Sequence, residues 1–303
     1  MYLLRVLSRC ALFVFPALAE VSSFNDWPHL RVALPDVSIH LRYYGSGPPL
    51  MLVHGFPQHS PTWNIVGPIL AQNYTVIAPD LRGTGDSSIP FSYNFTASAA
   101  ADDLEAVLDF LNINQTYVFA HDKGTGVAAA LAAKIRGRIK RLGLSEYLLP
   151  GLSYETLQAP TPTWNLYSNW QLAFFSVPDA AQFFIQGREK QMLSWYFYHV
   201  GYSGTSAISD DLLTLCTDSI AKPGYLRSGL EYFSNLTVAQ DPALFSSTLI
   251  PQPFSGPTLV LGGEASLSNT SLIEQLFSPV ASDLTADIVP KAGHWIGGKF
   301  GRA

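Results

Sequence analysis

The sequence predicts an α/β fold: a mostly parallel central sheet flanked by helices and interrupted by a helical insertion. Three observations predict it. Short apolar runs rich in β-branched residues alternate with helical patterns up to residue 149, an aromatic-rich stretch without strand signals occupies 150–240, and the alternation returns over 241–303. Parallel neighbours need a crossover helix between them, so this alternation means helices covering one sheet.

The elements follow in order. "RVALPDVSIHLRYYG" alternates in part and reads as strands, a Gly-Ser-Gly-Pro-Pro turn follows, and "LMLV" reads as a buried strand. A helix is expected over about Thr62 to Ala71, then the strand "YTVIAPD", then a helix from about Thr96 to Leu111 with Thr96 as its N-cap. The strand "TYVFAHD", a helix from Gly124 to about Ile135 and the strand "IKRLGLSE" complete the first part, 20–149. "YLLPGLSYETLQAPTPTW" breaks the pattern and opens the insertion, which reads as a lid. "PTLVLGGE", a helix after Asn269 and "ADIVPKAGHW" restore it.

At 303 residues and 48% hydrophobic, the chain has the apolar content for one large domain. Its 18 Lys and Arg are scattered apart from a short run at Lys134 to Arg141, which argues against nucleic-acid binding. Residues 1–19 read as a signal peptide, because Arg5 and Arg9 precede the apolar "ALFVFPALA" that closes on Ala17-Leu18-Ala19; an uncleaved anchor is the alternative. Sequons at Asn73, Asn94, Asn114, Asn235 and Asn269 are compatible with the secretory pathway. Cys10 would leave with the signal, so Cys216 would have no partner for an internal disulfide.

The chemistry-bearing residues lie at strand ends. In Ala120-His121-Asp122-Lys123-Gly124 small residues flank the aspartate at the spacing of a strand-to-helix elbow, where a sharp turn lifts the middle side chain to the sheet's carboxyl edge. A strand-end carboxylate can also merely cap the next helix. His294 follows the last strand, and the order nucleophile, acid, histidine is the one that elbow enzymes use. "HGFP" after a buried strand forms a tight turn that would aim the backbone N–H groups of Phe56 and Lys123 at a developing oxyanion. The acid that orients His294 is open between Glu146 and Glu264; the strand-end position favours Glu146.

The segments "HGFPQHSPTWN", "VIAPDLRGTGDSS", "FAHDKGTGVA" and "AGHW" together resemble the α/β-hydrolase superfamily, in its branch of epoxide hydrolases and haloalkane or haloacid dehalogenases. The resemblance runs from about Leu30 to Ile296. It implies the α/β-hydrolase fold with an inserted helical lid and an aspartate nucleophile in place of serine. An ionised carboxylate attacks an sp³ carbon without prior deprotonation, so Asp122 would form an alkyl ester that a water activated by His294 hydrolyses. No metal or organic cofactor is implied, and the partners are an apolar small molecule and water.

The chain departs from that family in two places. Gln171 and Phe233 stand where two lid tyrosines would donate to the epoxide oxygen, so Gln171 is the first substitute donor and Tyr232 the second, with Trp170, Tyr167, Tyr196, Tyr198 and His199 nearby. Gln171-Leu172 also replaces the His-Trp of haloacid dehalogenases. After Trp295 the sequence ends in "IGGKFGRA" where the family carries a final helix; its absence would uncover one sheet face, worth about 25 cal/mol per Å². The expected function is opening of a bulky apolar epoxide to a diol, in natural-product tailoring or detoxification. The alternatives are a dehalogenase with the same nucleophile and a hydrolase-fold protein that only binds a ligand.

Overall fold

The computed structural model describes residues 23–157, 166–198 and 208–296. The expected signal segment with Cys10, the side chain of Tyr167, and His199 lie outside the described residues.

Eight strands, β1 (His29–Ala33), β2 (Ser38–Tyr44), β3 (Pro49–Val53), β4 (Thr75–Pro79), β5 (Thr116–Ala120), β6 (Ile139–Ser145), β7 (Phe254–Gly263) and β8 (Ala281–Val289), form one sheet in the order β1-β2-β4-β3-β5-β6-β7-β8. β2 is antiparallel to β1 and to β4, and every other pair is parallel. Val53 pairs with Ala120 and Ser145 with Leu261, so β3, β5, β6 and β7 reach the same edge together. The loops that leave this edge carry "HGFP", Asp122, Glu146 and Glu264.

The helices before the insertion are α1 (Val66–Leu70), α2 (Ala97–Phe110) and α3 (Lys123–Lys134). Thr96 caps α2 by accepting the Ala99 N–H at 3.2 Å, a contact worth about 1 kcal/mol. α3 is built from small residues because it lies against the β3 turn: a side chain at Gly124 would start 2.4 Å from the His54 carbonyl oxygen. Residues Lys123 to Ala132 are all buried, and Leu131→Ala would cost about 2–5 kcal/mol.

The insertion holds α4 (Leu166–Phe175), α5 (Pro178–Ile185), α6 (Glu189–Tyr198), α7 (Asp210–Ala221), α8 (Tyr225–Glu231), α9 (Asn235–Val238) and α10 (Asp241–Ser247), and α11 (Thr270–Phe277) follows β7. Phe56, from the turn after β3, is the peg that ties it to the sheet. Its ring meets Phe175 and Phe233 edge-on at 5.5 and 5.2 Å between centroids, and such pairs each add about 0.5–1.5 kcal/mol beyond burial. None of the described helices is long and apolar enough to cross a membrane.

Three boundaries differ from expectation. The helix expected over 62–71 splits into a 3-10 turn, Ser60–Trp63, and the five-residue α1; Pro68 has no N–H for the Asn64 carbonyl, so the two pieces do not merge into one helix. Helical structure passes residue 240 because Gln240 and Pro242 start a new helix, α10. β7 begins at Phe254, ahead of Pro257, and the register shifts between those residues, where a missing ladder N–H is tolerated.

Candidate active site

Asp122 sits between β5 and α3 at φ +50°, a left-handed value that costs a non-glycine residue about 1–3 kcal/mol. Its N–H donates to the Ser145 carbonyl at 3.0 Å, and the Ser145 hydroxyl donates to Ala120 at 2.8 Å, so the end of β6 clamps the elbow. Gly55 is needed for the approach from the other side, since a Cβ there would stand 2.3 Å from Asp122 Oδ1. Phe56 N–H donates to that Oδ1 at 2.9 Å, and the Lys123 N–H also bonds the carboxylate. Oδ1 is thereby occupied. Oδ2 faces His294, whose Nε2 lies 3.3 Å away without hydrogen-bond alignment.

His294 Nδ1 lies 3.0 Å from Glu146 Oε2. Glu146 is itself held: Oε1 accepts the Gly263 N–H at 2.6 Å, and Oε2 accepts the Ser266 hydroxyl at 2.6 Å. Glu264, the other strand-end acid, is exposed and accepts the Lys291 N–H at 2.6 Å, so it takes no part in this array. His121, buried above the elbow, donates from Nε2 to the His294 carbonyl at 2.7 Å and fixes the histidine's backbone. Burial pushes His121 down to about 4, which keeps it neutral and a donor.

Burial opposes ionisation of Asp122, but the His294 ring and neighbouring donors hold its carboxyl below the ordinary carboxylate range. Burial likewise opposes charge on His294; Asp122 and Glu146 overcome it and raise the imidazole to about 10. Flanked by Asp122 on one side and Glu146 on the other, the ring is drawn towards its protonated form.

Asp122, His294 and Glu146 open onto a cavity of about 360 Å³ whose other walls include Gln171, Tyr147, Tyr154, Tyr196, Phe233 and Trp295. Gln171 reaches this cavity as expected. Two other expected substrate contacts do not. The Tyr232 hydroxyl donates to the Arg82 carbonyl at 2.9 Å and its ring packs on Phe95, leaving Phe233 to face the cavity; one residue along a helix end turns the side chain to another wall. Trp170 is 39% exposed and packs at a tilt against Phe174 and Trp195.

Sequence reading missed Ser266, Tyr147, Tyr154 and the Lys123 side chain. The signal for Lys123 was available: a charged residue opens a helix whose following residues are small or apolar, so its side chain had no solvent-facing stripe to join.

A larger apolar groove of about 540 Å³ lies on the open face of the sheet, lined by Leu52, Phe119, Leu142 and Leu259, and it contains neither Asp122 nor His294. Among the described residues one His/Asp group has metal-like spacing, His29, His40 and Asp86, with donor atoms within 4.8 Å of one another; none of these lines the cavity.

Residues 48–264 match the profile of the family described as alpha/beta hydrolase fold. The chain is 28% identical over 269 residues to a soluble epoxide hydrolase of Corynebacterium sp. (strain C12), covering 88% of this chain and 91% of that one. A shorter stretch of 114 residues, 36% of this chain and 38% of the other, is 39% identical to a fluoroacetate dehalogenase of Burkholderia sp.. The crystal structure of wild-type Cfl2 from Burkholderia cenocepacia superposes with a TM-score of 0.83 at 26% identity, over 94% of each chain. The strand order, the elbow and these similarities agree: the chain belongs to the α/β-hydrolase fold family, in the branch of epoxide hydrolases and dehalogenases, and is a hydrolase.

Proposed function

We propose that the protein opens an apolar epoxide to a diol through an ester on Asp122. The observation that carries this reading is the asymmetry of the Asp122 carboxylate, with Oδ1 occupied by Phe56 N–H and Oδ2 turned to His294 and the cavity. Oδ2 attacks the epoxide carbon, and Oδ1 becomes the ester carbonyl oxygen, already held by the Phe56 N–H, with the Lys123 N–H as the second donor for the oxyanion of the second step.

Ester formation also switches His294. The imidazolium is sustained by two carboxylates, and alkylation of Asp122 removes one of those charges. Its pKa falls, the proton passes to solvent and is taken back when the Asp122 carboxylate re-forms, and in between the neutral ring, held by Glu146, accepts a proton from the water that attacks the ester. Gln171 remains as a substrate contact from the insertion, which acts as a lid. The cavity of about 360 Å³ and its aromatic walls suit a compact apolar substrate rather than the bulky one expected from the aromatic-rich insertion.

Halide displacement by the same carboxylate is the competing reading, supported by the local 39% identity to a fluoroacetate dehalogenase. All five sequon asparagines are exposed, which supports passage through the secretory pathway.

The test is intact mass of the His294→Gln variant after incubation with styrene oxide and, separately, with an organohalide. An adduct on Asp122 that keeps the epoxide oxygen supports the diol reaction, and an adduct formed only with loss of halide moves the assignment to dehalogenase. No adduct with either, together with no turnover by the wild-type protein, overturns the covalent mechanism.

A further inference from the structure

Opening an epoxide leaves an alkoxide that must be protonated, and the two lid positions expected to supply donors hold Gln171 and Phe233. The cavity has another source. The Lys123 side chain turns inward, is 5% exposed, and donates from Nζ to Tyr147 Oη at 3.2 Å and Tyr154 Oη at 3.0 Å. Nζ also stands 4.2 Å from the centre of the Phe233 ring. Tyr147, Tyr154 and Phe233 line the same cavity as Asp122.

Resting on the epoxide reading, we infer that Tyr147 is the acid for the departing oxygen and that Lys123 is its positioning residue, with Tyr154 as the second support of the ammonium. A phenol oxygen that accepts from an ammonium keeps its own O–H to donate; burial and the neighbouring Tyr154, Asp241 and Asp122 push the Tyr147 phenol well above its ordinary value, and the ammonium behind it, able to pass on its own proton, offsets that as the phenolate develops. Phe233, where a lid donor was expected, instead presents a ring face to the ammonium. Burial lowers Lys123 to about 8, against the pull of Asp122 and Asp241, so its proton is held loosely enough to follow.

The step balances. Asp122 Oδ2 bonds to the epoxide carbon as the C–O bond breaks with its electron pair; the oxygen takes the Tyr147 proton, and the phenolate takes one from Lys123. The hydrolytic water then supplies two protons. One reaches the departing alkoxide through His294, and the other, released as the carboxylate re-forms, restores Lys123 through solvent.

The experiment measures the rate of Asp122 alkylation by styrene oxide, by rapid quench and intact mass, in His294→Gln protein with and without Tyr147→Phe or Lys123→Met. The expected result at saturating epoxide is a fall of about 100-fold or more for Tyr147→Phe and about 10-fold or more for Lys123→Met, with the thermal midpoint of Tyr147→Phe unchanged. The solvent deuterium isotope effect on alkylation, present in the parent, should vanish in Tyr147→Phe; a merely structural tyrosine would leave it in place. Alkylation of the parent with Tyr147→Phe within threefold of it, or slowed with its isotope effect retained, overturns this inference and leaves the covalent mechanism standing. A parent that is not alkylated overturns both.

Discussion

Asp80 and Asp122 are the same residue type at the same place in the fold, the carboxyl end of a parallel strand, and both are buried. Asp80 is saturated. Its Oδ1 accepts the Ser60 N–H at 2.6 Å, while Oδ2 lies 2.7 Å from His40 Nδ1 and accepts the Asp86 N–H at 2.9 Å. Burial opposes its ionisation, but the His40 contact and the surrounding histidines hold it well below the usual carboxylate range. Asp122 has one oxygen satisfied and one turned to a cavity. Two carboxylates of equal burial thus separate into a structural and a reactive one by the number of donors that reach them and by the space left over.

The sharpest way to break that contrast is to remove the charge from each. Asp122→Asn should lower turnover by about 10⁴-fold while costing far less in denaturant unfolding than a change at Asp80, because the amide oxygen still accepts the Phe56 N–H and Glu146 still pairs with His294; what is lost is the Asp122 share of the charge that holds the His294 proton. Asp80→Ala should do the reverse: about 3–5 kcal/mol lost in urea unfolding, as two buried donors and one part-buried donor lose their acceptor, with activity per folded molecule within about threefold.

The pH dependence of stability sharpens the comparison further. Burial lowers His59, beside Asp80, to about 4, whereas the ordinary value is 6.5. The unfolded chain therefore takes up this proton first, and up to ~3 kcal/mol of stability should be lost as the pH falls from 6.5 towards 4. His294 has the opposite sign: its stabilisation is complete below 6.5 and is lost as the pH rises through about 10. His59→Gln should make the acid limb of a urea-midpoint titration shallower, His121 keeping its own share, and leave the alkaline limb alone.

The smallest effects concern what surrounds the carboxylates. Ser266→Ala removes one donor from Glu146 and should cost about tenfold in kcat with little change in KM, in line with a hydrogen bond to a charged group. Glu264→Gln, at an exposed acid outside the array, should stay within twofold in kcat/KM. A large loss there would reverse the assignment of the orienting acid.

The sheet and the elbow were legible because steric demands dictate composition. A helix pressed on a strand end must be built from glycine and alanine, and a parallel strand buried on both faces must be apolar. The choice between Glu146 and Glu264 was only partly legible: each follows a strand, and their difference lies in a 3.0 Å contact with a residue distant in sequence. The insertion was least legible. Aromatic residues there serve packing and cavity walls alike, and the difference between Tyr232 and Phe233 is one position on a short helical end. Tyr147 and Tyr154 escaped because they lie at the edge of that aromatic stretch rather than at the expected donor positions.

Asp122 and Lys123 follow β5, and Glu146 and Tyr147 follow β6, the neighbouring strand. Four polar groups around the cavity thus stand on two adjacent dipeptides, in a segment that ends before the insertion begins. Exchange or drift of the insertion would reshape the walls and leave those groups in register. Substrate preference in this architecture is accordingly free to diverge faster than reactivity, and libraries confined to 166–247 should change which molecules are accepted without having to rebuild the means of attacking them.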